Sequence, residues 1–219
     1  MFPAWRCPRP ELQPAVGLAL GEPLLELVPG SRAPARPHRT STVSSQDTRA
    51  MQQPDNRRLV AWIDGVGGYL ICLGEEVVLG QPGGDAQIPI LADLSRRQAS
   101  IRRAGEAYVL TPVHPVAVGG VPQSAPILLE DQLRITLGAS VELRFRQPHA
   151  LSRTALLTLE SHHQTEPSVD AIVLMSETCV LGAPPSSHIV CRHWTDTLVL
   201  FRRDDQLWFR TTAAVAVDG

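Results

Sequence analysis

From Arg57 to its C-terminus the sequence predicts an all-β fold, an antiparallel β-sandwich. Two observations carry that expectation. Short runs rich in β-branched and aliphatic residues recur at close intervals, and Gly, Pro and Asp punctuate them. No segment sustains an apolar period of 3.6 residues, so nothing predicts a long helix.

The elements follow in order. Residues 1–56 form an arm rich in Pro, Arg, Ser, Thr and Gln, with prolines at 3, 8, 10, 14, 23, 29, 34, 37 and 54. Each proline removes a backbone donor, and Arg39 to Thr48 has little to bury, so the arm is expected to be disordered. The exception is Leu24-Leu25-Glu26-Leu27-Val28, which is apolar enough to dock as a short strand or turn. The strand-like runs then begin: residues 59–63, 69–73, 77–80, 88–91, 98–103, 107–110, 116–118, 133–137 and 141–145. Many short strands with closely spaced turns read as a sandwich or barrel.

An internal repeat overlies this pattern. Val77-Val78-Leu79-Gly80 recurs as Cys179-Val180-Leu181-Gly182, and Ser100-Ile101-Arg102-Arg103 as Leu200-Phe201-Arg202-Arg203. Val116-Ala117-Val118-Gly119-Gly120 recurs as Val215-Ala216-Val217-Asp218-Gly219. The strands ahead of these match too, residues 69–73 with 171–175 and 59–63 with 155–159. Three blocks in one order point to duplication. The expected division is an arm over 1–56, a sandwich over 57–148 and a truncated second copy over 154–219. The second copy is apolar at Leu198, Leu200, Trp208, Phe209 and Val215, too much so for an open half-sandwich, so another surface is expected to cover it.

Composition narrows the chemistry. All 20 basic residues are arginine. Schiff-base, phosphate-loop and Ser–Lys mechanisms are therefore excluded. A net charge of −2 gives no reason to expect nucleic acid. The apolar stretch from Ala15 to Val28 is broken by Glu22, Pro23 and Glu26, so no membrane span is expected. Cys7, Cys72, Cys179 and Cys191 lack metal-type spacing, and Cys72 and Cys179 fall in strand-like runs, which implies free buried thiols and a reducing, cytoplasmic setting.

The segment from Leu59 to Arg146 resembles the forkhead-associated (FHA) domain. The resemblance rests on a strand ending in Gly80, the loop from Asp93 to Ile101, Gly119-Gly120 after a short strand, and a closing pair running from Ile127 through Leu137-Gly138. It implies an FHA-type β-sandwich that binds phosphothreonine peptides. In that family the phosphate pocket holds an Arg after the first Gly, a Ser-Arg-x-His loop and an Asn-Gly. This sequence keeps Ser95 and Arg96, but has Gln81 for the Arg, Gln98 for the His and Gly119 for the Asn. The phosphopeptide-binding set implied is Gln81, Ser95, Arg96, Arg97, Gly119 and Gly120. A phosphate carries about −1.5 to −2 charge, so the missing Arg is the departure that weakens binding most. In the second copy Thr195 and Asp196 align with Ser95 and Arg96, and an acid there repels phosphate.

The expected partner is a phosphothreonine-containing or acidic protein segment. The alternative is a degenerate FHA-like scaffold that binds an unmodified protein. The chain's own arm is a further candidate, because Thr40 and Thr42 follow the basic stretch Arg36-Pro37-His38-Arg39. No cofactor is expected. His188, Cys191 and His193, with His162-His163 upstream, offer zinc-type atoms but match no common zinc spacing. Asp64-Gly65-Val66-Gly67-Gly68 joins two strands and reads as a hairpin turn rather than a dinucleotide loop. No nucleophile elbow or marked carboxylate pair is present, so no catalytic residue is assigned.

Overall fold

The computed structural model describes residues 13–14, 24–28, 57–149, 152–203, 206–212 and 216–218. Among them the chain forms strands and turns and no helix. Within the arm lie β1 (Gln13–Pro14) and β2 (Leu24–Val28). The first segment supplies β3 (Arg58–Ile63), β4 (Gly67–Cys72), β5 (Glu76–Gly80), β6 (Ile88–Leu91), β7 (Ala99–Ala104), β8 (Ala107–Pro112), β9 (Val116–Val118), β10 (Val121–Gln123), β11 (Ile127–Leu129), β12 (Arg134–Leu137) and β13 (Val141–Arg146). The second supplies β14 (Ala155–Leu159), β15 (Gln164–Thr165), β16 (Ala171–Leu174), β17 (Thr178–Gly182), β18 (Ile189–Val190), β19 (Leu198–Arg203), β20 (Gln206–Thr211) and β21 (Ala216–Asp218).

The sheets are mixed rather than purely antiparallel. A ten-stranded sheet runs β10-β9-β12-β13-β14-β16-β4-β3-β2-β21. A six-stranded sheet, β11-β8-β7-β5-β6-β15, belongs mainly to the first segment, and a five-stranded one, β1-β20-β19-β17-β18, mainly to the second. At the centre of the large sheet β4 and β16 lie side by side in parallel, with Tyr69 opposite Ala171 and Cys72 opposite Leu174. The strands matched in the sequence repeat are thus neighbours in space.

Side-chain alternation shows how the layers stack. On β4 and β16, Leu70, Cys72, Ile172 and Leu174 enter one core with Val77, Leu79, Ile101 and Leu110 of the six-stranded sheet. The intervening Ile71, Val173 and Met175 enter a second core with Cys179, Leu181, Leu200 and Phe209 of the five-stranded sheet. The large sheet is therefore the middle of three layers, covered on opposite faces. That explains why β4 and β16 read as unbroken apolar runs, as strands buried on both faces do. Farther out β13 is covered on one face only. Its Val141, Leu143 and Phe145 are buried and alternate with half-exposed Glu142, Arg144 and Arg146.

The apolar surface of the second segment is covered as its composition requires. Leu198, Leu200 and Phe209 pack against Leu59, Ala61 and Ile63 of β3, so the first segment supplies the surface. Trp208 is half-buried, and Val215 lies outside the described residues. Most of the arm, including Thr40, Thr42 and Cys7, does as well. Of the two described pieces of the arm, Leu24–Val28 is the short docked strand expected there, and Gln13–Pro14, expected to be disordered, is a strand as well. The apolar run between Pro23 and Pro29 has no internal proline and can bond on both sides, while Pro14 lies in an edge strand.

The two hairpins of the outer sheets share one register. The pairs Ala99–Pro112 and Arg103–Tyr108 recur as Leu198–Thr211 and Arg202–Leu207. The structural counterpart of Arg103 is therefore Arg202, one residue away from the match suggested by the sequence blocks. Hydrogen bonding agrees: the Arg103 amide donates to the Glu75 carbonyl and the Arg202 amide to the Glu177 carbonyl. Both guanidinium groups cross between segments. Arg103 donates to the Met175 carbonyl at 3.1 Å and the Ser176 hydroxyl at 3.1 Å, and Arg202 to the Leu73 carbonyl at 2.7 Å.

The Asp64-to-Gly68 stretch is the β3–β4 turn. Gly67 has φ +139°, and a Cβ on it would fall 2.4 Å from Asp170 Oδ2. A Cβ on Gly68 would fall 2.6 Å from the Trp62 ring. The Gly68 amide donates to Asp170 Oδ2 at 2.8 Å, which ties this turn to the strand entering the second segment.

One correspondence carries a pH dependence. The Val78 amide donates to Gln87 Oε1 at 2.7 Å, and its counterpart Val180 donates to His188 Nδ1 at 2.9 Å. Burial, reinforced by His149, pushes the His188 imidazole down from 6.5 to about 4. It is neutral in the fold, while the unfolded chain protonates it below about 6.5. Its contribution is complete above pH 6.5 and is lost as pH falls toward 4, by about 1.4 kcal/mol per pH unit and about 3 kcal/mol in all. His188→Gln keeps the acceptor that Gln87 provides in the first segment. It is expected to flatten the dependence of denaturation midpoint on pH between 6.5 and 4 while leaving stability at pH 7.5 nearly unchanged. Parallel pH profiles for the two proteins would refute this role.

Candidate loop cluster around Ser95

The cluster begins with a glycine that no other residue can replace. A Cβ on Gly80 would lie 2.1 Å from the Arg96 carbonyl oxygen and 2.8 Å from that of Ser95. Bare backbone at the end of β5 lets the 92–98 loop lie directly on it. Two hydrogen bonds hold the contact: the Gln81 amide donates to the Ser95 carbonyl at 3.0 Å, and the Gln98 amide to the Leu79 carbonyl at 2.8 Å. Gln81 is thereby placed beside Ser95, with its side chain exposed.

Gln98 organises the loop. It is 2% exposed. Its Oε1 accepts the Ser95 amide at 3.0 Å, and its Nε2 donates to the Pro115 carbonyl at 2.9 Å. Its own carbonyl accepts the Val113 and His114 amides at 3.1 and 3.0 Å. The Pro115 carbonyl also takes the Gly138 amide at 2.9 Å. One buried carboxamide therefore joins the 92–98 and 113–115 loops, and Pro115 joins both to the β12–β13 turn. A carboxamide suits the position because it offers one acceptor and two donors without a titration.

Around this frame Ser95 is half-buried and Arg96 and His114 are exposed. Arg96 packs along the neighbouring glycine loop, where a Cβ on Gly84 would stand 3.0 Å from the Arg96 Cβ. Arg97 turns elsewhere, with its guanidinium 3.6 Å from Glu76. Gly119 and Gly120 are not in the cluster. They form the β9–β10 turn with φ +58° and +82°, and the Gly119 amide donates to the Arg134 carbonyl. The length of β9, roughly 10 Å, separates them from Pro115. The family resemblance groups Gly119 with Ser95, and the intervening strand β9 parts them. His114, which the sequence reading passed over, occupies the loop at the Ser95 end. Hairpin connectivity is the signal that finds it, because β8 returns the chain to where β7 began.

Beside the cluster is a cleft of about 470 Å³, lined by Arg58, Val60, Leu70, Pro82, Gly84 and Glu166 among others. Arg58 donates to the Gln87 carbonyl at 2.8 Å across its floor.

The second segment differs in charge at the matching end. Asp196 accepts hydrogen bonds from the Thr212 hydroxyl at 2.7 Å and the Thr195 hydroxyl at 2.9 Å. These bonds hold its carboxyl below the usual carboxylate range. By the hairpin register, Thr195 and Asp196 are the counterparts of Arg96 and Arg97, one place from their sequence alignment.

The zinc-type residues are dispersed. His188 serves the Val180 amide, Cys191 is buried with its thiol toward the Ile189 carbonyl at 3.7 Å, and His193 is exposed. His162 and His163 stack on each other with ring centroids 4.3 Å apart. Among the described residues no three His, Cys, Asp or Glu side chains group to hold a metal. Cys72, Cys179 and Cys191 are free thiols, pushed up by burial to about 12, 12 and 11. No helix among the described residues is long and apolar enough to cross a membrane.

The frame makes Gln98 a test of loop order. Gln98→Ala leaves the Ser95 amide and the Pro115 carbonyl without their partner, and is expected to cost about 1–3 kcal/mol in denaturant unfolding. It should also raise amide exchange selectively over 93–97 and 113–115. Unchanged exchange there would show that the loops hold themselves.

No protein-family model, curated protein or solved structure matches this chain.

Proposed function

We propose that the 57–148 segment is a non-enzymatic interaction module that captures a phosphothreonine-containing protein segment, in the manner of the FHA family it resembles. The observation that carries this reading is the Gln98 frame. Gln98 occupies the Ser95 amide and ties the two loops together, and in the loop it holds Ser95 is half-buried and Arg96 exposed. A hydroxyl beside a guanidinium on an ordered loop is phosphate-binding chemistry, because charge-assisted hydrogen bonds to a dianion are the strong ones. His114 adds a ring nitrogen at the same end. Asp196 in the second segment favours a division of labour, with phosphate capture confined to the first.

The neutral Gln81 amide sets the strength. A charge-assisted contact is worth roughly 1.5–3 kcal/mol, so affinity is expected to fall about ten- to hundredfold below a ~1 μM module with an arginine there. The pairing of Arg97 with Glu76 favours a second reading, capture of an unmodified acidic segment, because it leaves less positive charge at the pocket.

Calorimetric titration of the full chain with a phosphothreonine peptide library and its unphosphorylated counterparts separates the two. The library includes residues 34–48 carrying phosphate on Thr40 or Thr42, since a tethered site reaches an effective concentration of about a millimolar. The phosphorylated peptides are expected to bind at about 10–100 μM, Arg96→Ala to weaken them at least tenfold, and Gln81→Arg to tighten them about ten- to hundredfold. Equal binding of plain acidic peptides selects the second reading. An unchanged affinity in both variants overturns the site.

A further inference from the structure

The first segment shows what a closed copy looks like, and the second has the same closure assembled from the other end of the chain. In the first, β11 covers the free edge of β8, with Ile127 opposite Leu110 and Leu128 opposite Val109. By the hairpin register the counterparts of Leu110 and Val109 are Phe209 and Trp208. Those are the residues β1 pairs with, Gln13 opposite Phe209 and Pro14 opposite Trp208. A strand from the arm thus occupies the same two rungs.

The large sheet repeats the pattern. β12 lies antiparallel to β9, with Ile135 opposite Val118 and Thr136 opposite Ala117. β2 lies antiparallel to β21, with Leu27 opposite Val217 and Val28 opposite Ala216. Val116-Ala117-Val118 and Val215-Ala216-Val217 are matched blocks of the sequence repeat, so Leu27 stands where Ile135 stands and Val28 where Thr136 does. The sequences agree around that register: Leu25-Glu26-Leu27-Val28-Pro29-Gly30 against Leu133-Arg134-Ile135-Thr136-Leu137-Gly138. Direction agrees too. β12 is two antiparallel steps from β14 and so runs the same way, as β2 runs parallel to β3. Among the described residues no counterpart of β13 stands in between, and β2 pairs directly with β3.

We propose that the arm is a donor segment: β1 and β2 are the closing strands of the second copy, displaced to the front of the chain, and the β20 edge with the groove between β3 and β21 is their acceptor site. Two consequences follow from topology. β21 pairs only with β2 among the described residues, so the C-terminal strand keeps its place only while the N-terminal one is present. The connection from Val28 must return over the length of β3, roughly 20 Å, whereas residues 29–57 extend to about 100 Å. A connection with that much more reach than the gap requires fixes which strand is nearby without by its length holding it in the groove, and the same segment from a second copy of the chain can take its place. In one chain the tethered strand wins at an effective concentration of about a millimolar. Once the tether is cut, exchange depends on the strand's own affinity.

The experiment uses the full chain with a protease recognition sequence in place of residues 40–46, cut under native conditions. The released fragment is expected to co-elute with the body on size exclusion at tens of micromolar. A fluorescent peptide of residues 9–32 should displace it, measured by anisotropy, and should leave the uncut chain unlabelled at the same concentration. The peptide carrying Leu25→Pro and Leu27→Pro should fail to bind, because a strand bonded on both sides cannot lose its donors. Amides 216–218 should lose exchange protection when the fragment leaves. Displacement is read on the cut complex without isolating the body, so aggregation of a stripped body does not spoil the test. Immediate separation of the fragment with an unchanged melting temperature overturns the proposal. Equal binding of the proline peptide does so too.

Discussion

The parallel pairing of β4 with β16 is the constraint on which the rest of the molecule depends. Parallel neighbours cannot be joined by a tight turn, so each must bring its own supporting chain, and here each brings an outer sheet. The two outer sheets cannot both lie on one face. They take opposite faces, and the shared sheet becomes an interior layer. Every residue on the central strands then has to be apolar, and from Leu70 to Cys72 and Ala171 to Met175 every one is buried. A polar substitution on either face would strand an unpaired group in a core, so the tolerance seen at one-faced strands such as β13 is absent.

Several polar groups at this junction find partners across it, while the buried Arg103 Nε has none. Arg103 leaves the first outer sheet to reach the Met175 carbonyl, and Arg202 leaves the second to reach that of Leu73. These carbonyls lie just past the ends of β16 and β4, where the ladder stops and backbone acceptors need partners. Tyr108 adds a bond to the Leu174 carbonyl at 3.0 Å from the same side. An arginine suits such a place because its planar fork serves several carbonyls from one side chain while its stem packs in the apolar layer. The segments therefore share carbonyl partners as well as a sheet, and neither has a complete set of its own.

Much of this was legible in the sequence, and the limits have physical reasons. Strand positions followed from turn residues, and Gly80 was marked by the family resemblance, while its reason, the loop backbone lying against it, came from the structure. The unbroken runs in β4 and β16 were read only as strands; their burial on both faces depends on pairing between residues a hundred positions apart. The hairpin register slipped by one because Ser100-Ile101-Arg102-Arg103 resembles Leu200-Phe201-Arg202-Arg203 more closely in letters than in ladder position. A one-residue slip moves every side chain to the other face, so only the pairing decides it. The Ser95 loop was found from its residues, while Gly119 was grouped with it by motif order and His114 was missed. Both errors come from reading a loop motif without tracing which end of the sandwich each strand returns to.

The arm shows the same limit from the other side. Its prolines argue against a long helix or central strand, and the run Leu24–Val28 lies between two of them and forms a strand. A proline flanking a strand marks where pairing stops, and only one within it forbids the ladder. Composition averaged over 56 residues hides a five-residue element; its apolar run marked the strand, but not that β21 is one of the strands it pairs with. The order of strands along the chain and their order in the sheet are separate properties. Matching rungs can therefore be filled, in part, by sequence from a different place along the chain. The second segment looks truncated when read along the chain, and is closed when read across the sheet.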